Sequence, residues 1–456
     1  MSVVVPLLIP WFAGAAFALL DGRRRWVGWA AVGALAATFA ATCALIALVG
    51  NEDGSTVAGD WPAGIGIELR ADALGVLFAV ISNGVLLSAL VFEVARGVRS
   101  RLFPSLVLFL SAGMTGLFLT ADIFNFYVFF ELAMIAAYAL AVYGDEARQL
   151  RAGFIFAIVN LLGSFLFLIG IAAIYHVTGT LEMTTAAERI AAVEPSAVIL
   201  IAIAIFVAFG VKLGLFPFHF WLPTVYASAT PGVAAMLSGA VANIGSYGIL
   251  RFGPGILPAA VELGATVLIA IGTLSIIYGA LQAISRRSSQ EVLAYSAIGQ
   301  AGYVLIAIGL GGPAGLTAAI VYAVVNSLNK ALLFLATGVR GFLIGAAFAV
   351  GAFSVAGVPP SAGFFGKVEL FRAGVVEDSV ALVALIFLGG ALSFVYMFQI
   401  YQHEFWGPSR RSGAESPAAV RAVAVALAAI VIAVGLWPEP LLAASREAAA
   451  VLGGGG

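Results

Sequence analysis

One cysteine and three histidines in 456 residues close off several kinds of chemistry at once. A lone Cys43, set inside an apolar run, leaves no disulfide and no thiolate cluster for a metal. No His/Cys/Asp/Glu group has metal-ligand spacing, no glycine-rich loop suits a phosphate, and no Ser/His/Asp set suggests hydrolysis. We therefore expect no metal site and no hydrolytic chemistry. Charged residues make up only 10%, against about 25% in soluble domains, which excludes a soluble chain of this length. A net charge of -1 argues against nucleic acid as a partner. The polar/apolar alternation of a membrane β-barrel is also missing. The first residues lack a basic n-region and a cleavage site, so they read as a first helix rather than a removed signal.

What remains is apolar sequence, 62% of the chain, in runs long enough to cross a bilayer. The fold class is an all-α polytopic membrane protein with about fourteen spans, each matched to roughly 30 Å of hydrocarbon. They fall near 2–20, 26–49, 71–94, 103–120, 122–143, 153–176, 196–216, 225–251, 256–284, 291–311, 313–337, 341–361, 379–404 and 417–436. A last stretch, 438–452, is too interrupted to count, and the terminal glycines 453–456 carry no assigned function. The connections after spans 1, 3, 5, 9, 11 and 13 hold Arg23, Arg24, Arg25, Arg96, Arg99, Arg101, Arg148, Arg151, Arg286, Arg287, Arg340, Arg410, Arg411 and Arg421. The opposite side holds only Arg70, Arg189, Arg251, Arg372 and Arg446. By the positive-inside rule this places the odd connections in the cytoplasm and both termini outside.

Arginine sits in the connections; lysine does not. The three lysines, Lys212, Lys330 and Lys367, all lie within or at the break of apolar segments. A charge there costs roughly 3 kcal/mol on insertion scales and survives by facing protein, water or a partner charge. Unlike arginine, a buried lysine can exchange protons. Glu131, about ten residues into the fifth span, sits near mid-membrane at roughly 1.5 Å per residue and is the matching acid. The plain alternative for Glu131 and Lys212 is a structural ion pair. Tyr322, Asn326 and Lys330 recur at i, i+4 and i+8 on one helix face, and Ser296, Gln300 and Tyr303 offer a similar stripe on the preceding helix. These can line a hydrated polar file or simply hydrogen-bond helices together. His219, just past Lys212, can pass protons to such a file or be a structural histidine.

Two breaks rich in Pro and Gly, VKLGLFPFHFWLP at 211–223 and GVPPSAGFFGK at 357–367, interrupt the seventh and twelfth spans. Interrupted segments in corresponding positions of two halves mark inverted repeats with midplane ion sites. Spans 4–8 and 9–13 are the expected five-helix repeats. The divisions are then 1–102 for the first three spans, 103–252 and 253–404 for the repeats, and 405–456 for the last span and tail.

These breaks, with FNFYVFFE at 124–131, LAYSAIGQ at 293–300 and NKALLF at 329–334, resemble the antiporter-like proton-translocating subunits shared by respiratory complex I, membrane hydrogenases and Mrp-type cation/proton antiporters. GDWPAGIGI at 59–67 is most similar to the D-type subunits of the Mrp branch. The resemblance implies that Glu131 pairs with Lys212, that Lys330 continues a central hydrophilic axis, and that Lys367 ends it. It further implies protons exchanged for sodium, other subunits as partners in a hetero-oligomeric complex, the bilayer of a bacterial cell membrane, and no redox cofactor. Three positions depart from the family pattern: Asn243 where a lysine is usual, Ser327 where a histidine is common, and Gln399 where Mrp members often have a lysine. The connection after span 11 is also short. The alternatives are the same fold in a proton-pumping dehydrogenase or hydrogenase, and a non-conducting scaffold.

Overall fold

The computed structural model describes residues 2–50, 54–57, 66–144, 146–406 and 417–453. Arg410, Arg411, positions 59–65 of the GDWPAGIGI motif and the last three glycines lie outside the described residues. Helices α1 (Val5–Ala18) and α2 (Arg25–Ala44) precede an antiparallel hairpin of β1 (Ser55–Val57) and β2 (Glu68–Arg70). Then come α3 (Ala73–Arg96), α4 (Phe103–Leu119), α5 (Ile123–Ala141), α6 (Ala147–Thr178) and a short α7 (Met183–Ile190). Helices α8 (Pro195–Leu213) and α9 (Trp221–Ser228) flank the first break. A π-helical turn, Leu237–Val241, joins α10 (Pro231–Met236) to α11 (Ala242–Phe252). Helices α12 (Pro258–Ser285), α13 (Ser289–Leu310) and α14 (Gly312–Thr337) lead to α15 (Phe342–Ala356) and α16 (Ala362–Val376), which flank the second break. Last are α17 (Val380–Phe405), α18 (Ala418–Leu436) and α19 (Glu439–Leu452).

Local chemistry sets the boundaries. Asp72 and Asp122 accept from the backbone of Gly75 (2.7 Å) and Asn125 (2.6 Å), capping α3 and α5. Glu194 and Thr230 cap α8 and α10 with proline at the first helical position. Both breaks begin at a glycine in the left-handed region, Gly214 at φ 69° and Gly357 at φ 83°, a conformation that residues with a Cβ resist.

Eleven segments among the described residues are long and apolar enough to cross a membrane, so the chain is an all-α polytopic membrane protein. Helices α1, α4 and α15 are apolar but have 14, 17 and 15 residues. Length alone thus carries eleven crossings, and fourteen requires these three to cross as well. The twelfth expected span needs correcting. Its helix ends at Ala356, and a further helix, α16, comes after the break and carries Lys367. The stretch left uncounted at the C-terminus is a helix, α19, packed on α14 and α3.

Burial separates an inner set from an outer one. The apolar windows of α14, α13 and α10–α11 are 94%, 89% and 94% buried, against 22% for α12. In a bilayer the helices that carry polar side chains face protein, while a helix apolar all round such as α12 can face lipid; α14 touches α13, α10, α3, α16 and α18. The connections separate into two ends. At one, Gly22 N donates to Arg101 O (2.9 Å), Arg99 N to the Tyr143 hydroxyl (2.9 Å) and Arg96 to Gly338 O (2.6 Å). At the other, β2 bridges to Thr120, Asp122 bridges to Glu182, and Arg70 reaches Thr184. There, burial pushes the Glu182 carboxyl up, but hydrogen bonds from Thr185 and Thr184 outweigh it and hold the group below its ordinary value.

Candidate functional site

Lys212 occupies the last turn of α8 and is buried. At the break Val211 O accepts from the capping Gly214 N (3.1 Å), and Trp221 Nε1 also donates to it at 2.9 Å. The Lys212 ammonium lies 4.6 Å from the centre of the Phe130 ring and contacts Met134 Sδ. Phe130 and Met134 are one turn apart on α5, so that face of α5 supplies a ring and a thioether to the charge. Glu131 is one step further round, half-buried, and its Oε1 accepts from the Ser164 hydroxyl of α6. Glu131 and Lys212 make no direct ion pair among the described residues; the carboxylate acts on the lysine through space. The paired contact that the resemblance implies is thus absent, because α5 turns the carboxylate toward α6. Beside it, Tyr138 OH and Asn160 Oδ1 are buried without a protein partner.

Asn243 sits where the two expected halves meet. Its Nδ2 donates to Ser82 Oγ (3.0 Å), Ser327 Oγ (3.1 Å) and Gly239 O (3.2 Å), tying α3, α14 and the π turn together. The Ser327 hydroxyl also donates to Gly239 O. π-helical turns interrupt the regular ladder, which is how Gly239 O comes to serve two side chains.

Lys330 is wholly buried in α14 and donates to Ser296 Oγ (2.8 Å) and Leu293 O (3.2 Å) of α13. Ser296 Oγ is 3.1 Å from the Tyr396 hydroxyl of α17. Tyr396 donates to Ser393 Oγ (2.9 Å) and accepts from Gln300 Nε2 (3.4 Å), and Gln300 Oε1 accepts from Tyr322 OH (2.5 Å). The Tyr322 and Tyr303 rings lie 5.0 Å apart. Lys367 Nζ is 5.5 Å from the Tyr303 ring centre and donates to Ala356 O (2.8 Å), a carbonyl freed by the second break. Tyr303 OH, Asn326 Oδ1 and Asn329 Oδ1 are buried without a protein partner, the condition in which internal water is retained.

Of the expected path residues, Lys330, Ser296, Gln300, Tyr303, Tyr322 and Lys367 are therefore gathered in one place, with Asn326 beside them on α14. Gln399 is not: it is exposed and reaches only Ile284 O, at 3.5 Å. His219 stands apart, its ring 5.6 Å from Phe216 and 4.4 Å from Tyr278, with Nδ1 unpartnered.

A family model described as NADH:quinone oxidoreductase/Mrp antiporter, transmembrane, matches residues 120–342. The chain is 31% identical to the D-type subunit of the Na(+)/H(+) antiporter of Alkalihalophilus pseudofirmus, over 98% of this chain and 96% of that protein. The chain belongs to the family of D-type Mrp antiporter subunits. A chain of the Mrp complex from a Dietzia species superposes with a TM-score of 0.89 at 28% identity, covering 99% of this chain and 96% of that one. A chain of Thermus thermophilus respiratory complex I shares the fold, with a TM-score of 0.85 at 24% identity over 99% and 100%. This member of the Mrp family is thus an antiporter-like, multi-pass membrane subunit and a transport component rather than an enzyme.

Sequence reasoning missed three features of this Mrp-family chain. Tyr396 and Ser393 read as ordinary helix residues, and only the rotational register of α17 would have pointed them inward. Ser82 follows the same pattern on α3. The third feature is a buried ion pair. Arg251 at the end of α11 donates to both oxygens of Asp72 (2.6 and 2.8 Å) and to Tyr247 OH (2.8 Å), while Tyr247 OH donates to Phe118 O (3.0 Å). The signal was an arginine at a helix end on the side opposite most arginines.

Proposed function

We propose that this chain conducts protons within a multisubunit sodium/proton antiporter, along Glu131, Lys212, Lys330 and Lys367, as one member of a hetero-oligomeric complex in a bacterial cell membrane. The observation that carries the reading is the set of three lysines, each at most 5% exposed, in a chain whose other basic residues are arginines found mostly in connections. Lys330 and Lys367 share one cluster of hydroxyl and amide groups, and Lys212 lies within Coulombic reach of Glu131. A purely structural set of charges has no need of lysine over arginine, whereas a relay needs groups that give up their proton. The two helix breaks, each beginning at a left-handed glycine and each carrying a lysine, support the reading of inverted repeats across 103–252 and 253–404. Asn243 joins the halves as a neutral hydrogen-bonding step rather than a charged one.

The test is sodium-driven proton movement in vesicles holding the assembled complex, followed with a pH-sensitive dye. Lys212→Ala and Glu131→Ala each abolish exchange while copurification of the other subunits persists. Normal exchange in either assembled variant overturns the conducting reading in favour of a scaffold. Copurification with iron–sulfur or flavin proteins instead of antiporter subunits moves the same fold to a proton-pumping dehydrogenase or hydrogenase.

A further inference from the structure

We propose that α17, a helix that supplies none of the four charged groups, forms the wall through which the proton travels between Lys330 and Lys367, with Tyr396 as the central relay. The inference rests on the proton-path reading above.

The hydrogen bonds already run in one direction. Lys330 Nζ donates to Ser296 Oγ at 2.8 Å. The Tyr396 proton is committed to Ser393 Oγ at 2.9 Å, so across the 3.1 Å contact between Ser296 and Tyr396 the serine is the donor. Ser393 in turn donates to Gly389 O at 2.7 Å. Three hydroxyls in series, each accepting from the group behind and donating to the one ahead, make an oriented proton wire. Gln300 is an orienter: its amide N–H points at the Tyr396 oxygen and its carbonyl holds Tyr322.

One turn past Ser393 the inward face of α17 carries only the glycines Gly389 and Gly390. A Cβ on Gly389 would overlap the Tyr303 hydroxyl, and one on Gly390 would stand 3.0 Å from Lys367 Nζ. Two adjacent glycines thus admit the unpartnered Tyr303 hydroxyl and the Lys367 amine to the end of the wire. Gly389, Gly390, Ser393, Tyr396 and Met397 follow a helical 3–4 spacing, which puts them on one inward face, and all five are buried.

The proton count closes. Lys330 gives one proton to Ser296, whose own proton moves to Tyr396, whose proton moves to Ser393. Ser393 swings from Gly389 O, and its proton passes through internal water to the Tyr303 hydroxyl, which has no protein partner, and from there, again by water, one proton reaches the neutral amine of Lys367. Lys330 ends neutral, Lys367 ends charged, and each hydroxyl keeps one hydrogen.

Tyr396→Phe removes only the oxygen of the relay and keeps its ring. Proton uptake by reconstituted complex is expected to slow by at least about tenfold, in keeping with the loss of one positioned proton-transfer group, while copurification of the other subunits is unchanged. Ser393→Ala is expected to slow it too, and serves if Tyr396→Phe fails to assemble. Lys330→Ala is run alongside. If Lys330→Ala is inactive but Tyr396→Phe or Ser393→Ala, assembled, conducts within about twofold of the parent, the α17 relay is overturned and the lysine path stands. If Lys330→Ala itself conducts normally, the path reading falls and this inference with it.

Discussion

Asn243 stands where the resemblance leads one to expect a lysine, yet its surroundings are those of a working polar group. One amide nitrogen serves Ser82, Ser327 and Gly239, drawing α3, α14 and the π turn onto one point. Asn243→Leu takes the donor from the buried Ser82 hydroxyl, while Ser327 and Gly239 O keep only each other, and a buried polar group left unsatisfied costs about 1–3 kcal/mol. The expected outcome is a complex that melts at lower temperature and conducts more slowly; an unchanged melting curve counts against the amide as the joint between halves. At this scale the sequence was legible for the lysines, because charge in hydrocarbon is so unfavourable that few residues carry it and each one signals. It was not legible for Tyr396 or Gln399. Both are polar-tipped residues on the same helix, three apart and so about 60° from alignment, and that difference is enough to turn one inward and the other out. Only packing against α12, α13, α15 and α16 decides which.

The breaks in the helices were readable as breaks, but the helix beyond the second one was not. Residues 362–376 contain Lys367, Glu369 and Arg372, which dilute the apolar run enough to hide α16; in the structure Arg372 pairs with Glu369 at 2.7 Å while Lys367 turns inward. What fixes Lys367 is the second break itself. Ala356 O accepts from its ammonium, and a Cβ on Gly357 would overlap its side chain. Gly357→Ala therefore has two effects: strain of about 1–2 kcal/mol from a Cβ in the left-handed region, and displacement of Lys367. Gly311 separates them, since it has φ 68° but open space where a Cβ would go. Both Gly357→Ala and Gly311→Ala are expected to lower the melting temperature of the complex, and Gly357→Ala alone to slow proton movement as well. Equal transport in the two would show that the close fit of Gly357 against Lys367 has no bearing on conduction.

Across the whole molecule, the two ends differ in chemistry before any membrane is considered. Four arginine-bearing connections converge at one end through Gly22–Arg101, Arg99–Tyr143 and Arg96–Gly338, and the hairpin, Asp122, Glu182 and the Asp72–Arg251 pair gather at the other. This arrangement accords with the alternation of arginine-rich and arginine-poor connections, which holds only if every helix that separates them crosses. The short helices α1, α4 and α15 are thus tested together with the orientation. Cys43 is the sole cysteine, so a Cys43→Ser chain gives a blank background for labelling with a membrane-impermeant thiol reagent. Ser2→Cys and Ala192→Cys, both at exposed positions, are expected to react from outside intact cells. Ser100→Cys and Ser285→Cys are expected to react only from the cytoplasmic side. If Ser2→Cys labels from the same side as Ser100→Cys, the number of crossings between them is even, and α1, α2 or α3 does not span. If all four labels are reversed, the crossings stand and the arginines lie outside, so that protons entering at the arginine-rich end come from the opposite compartment.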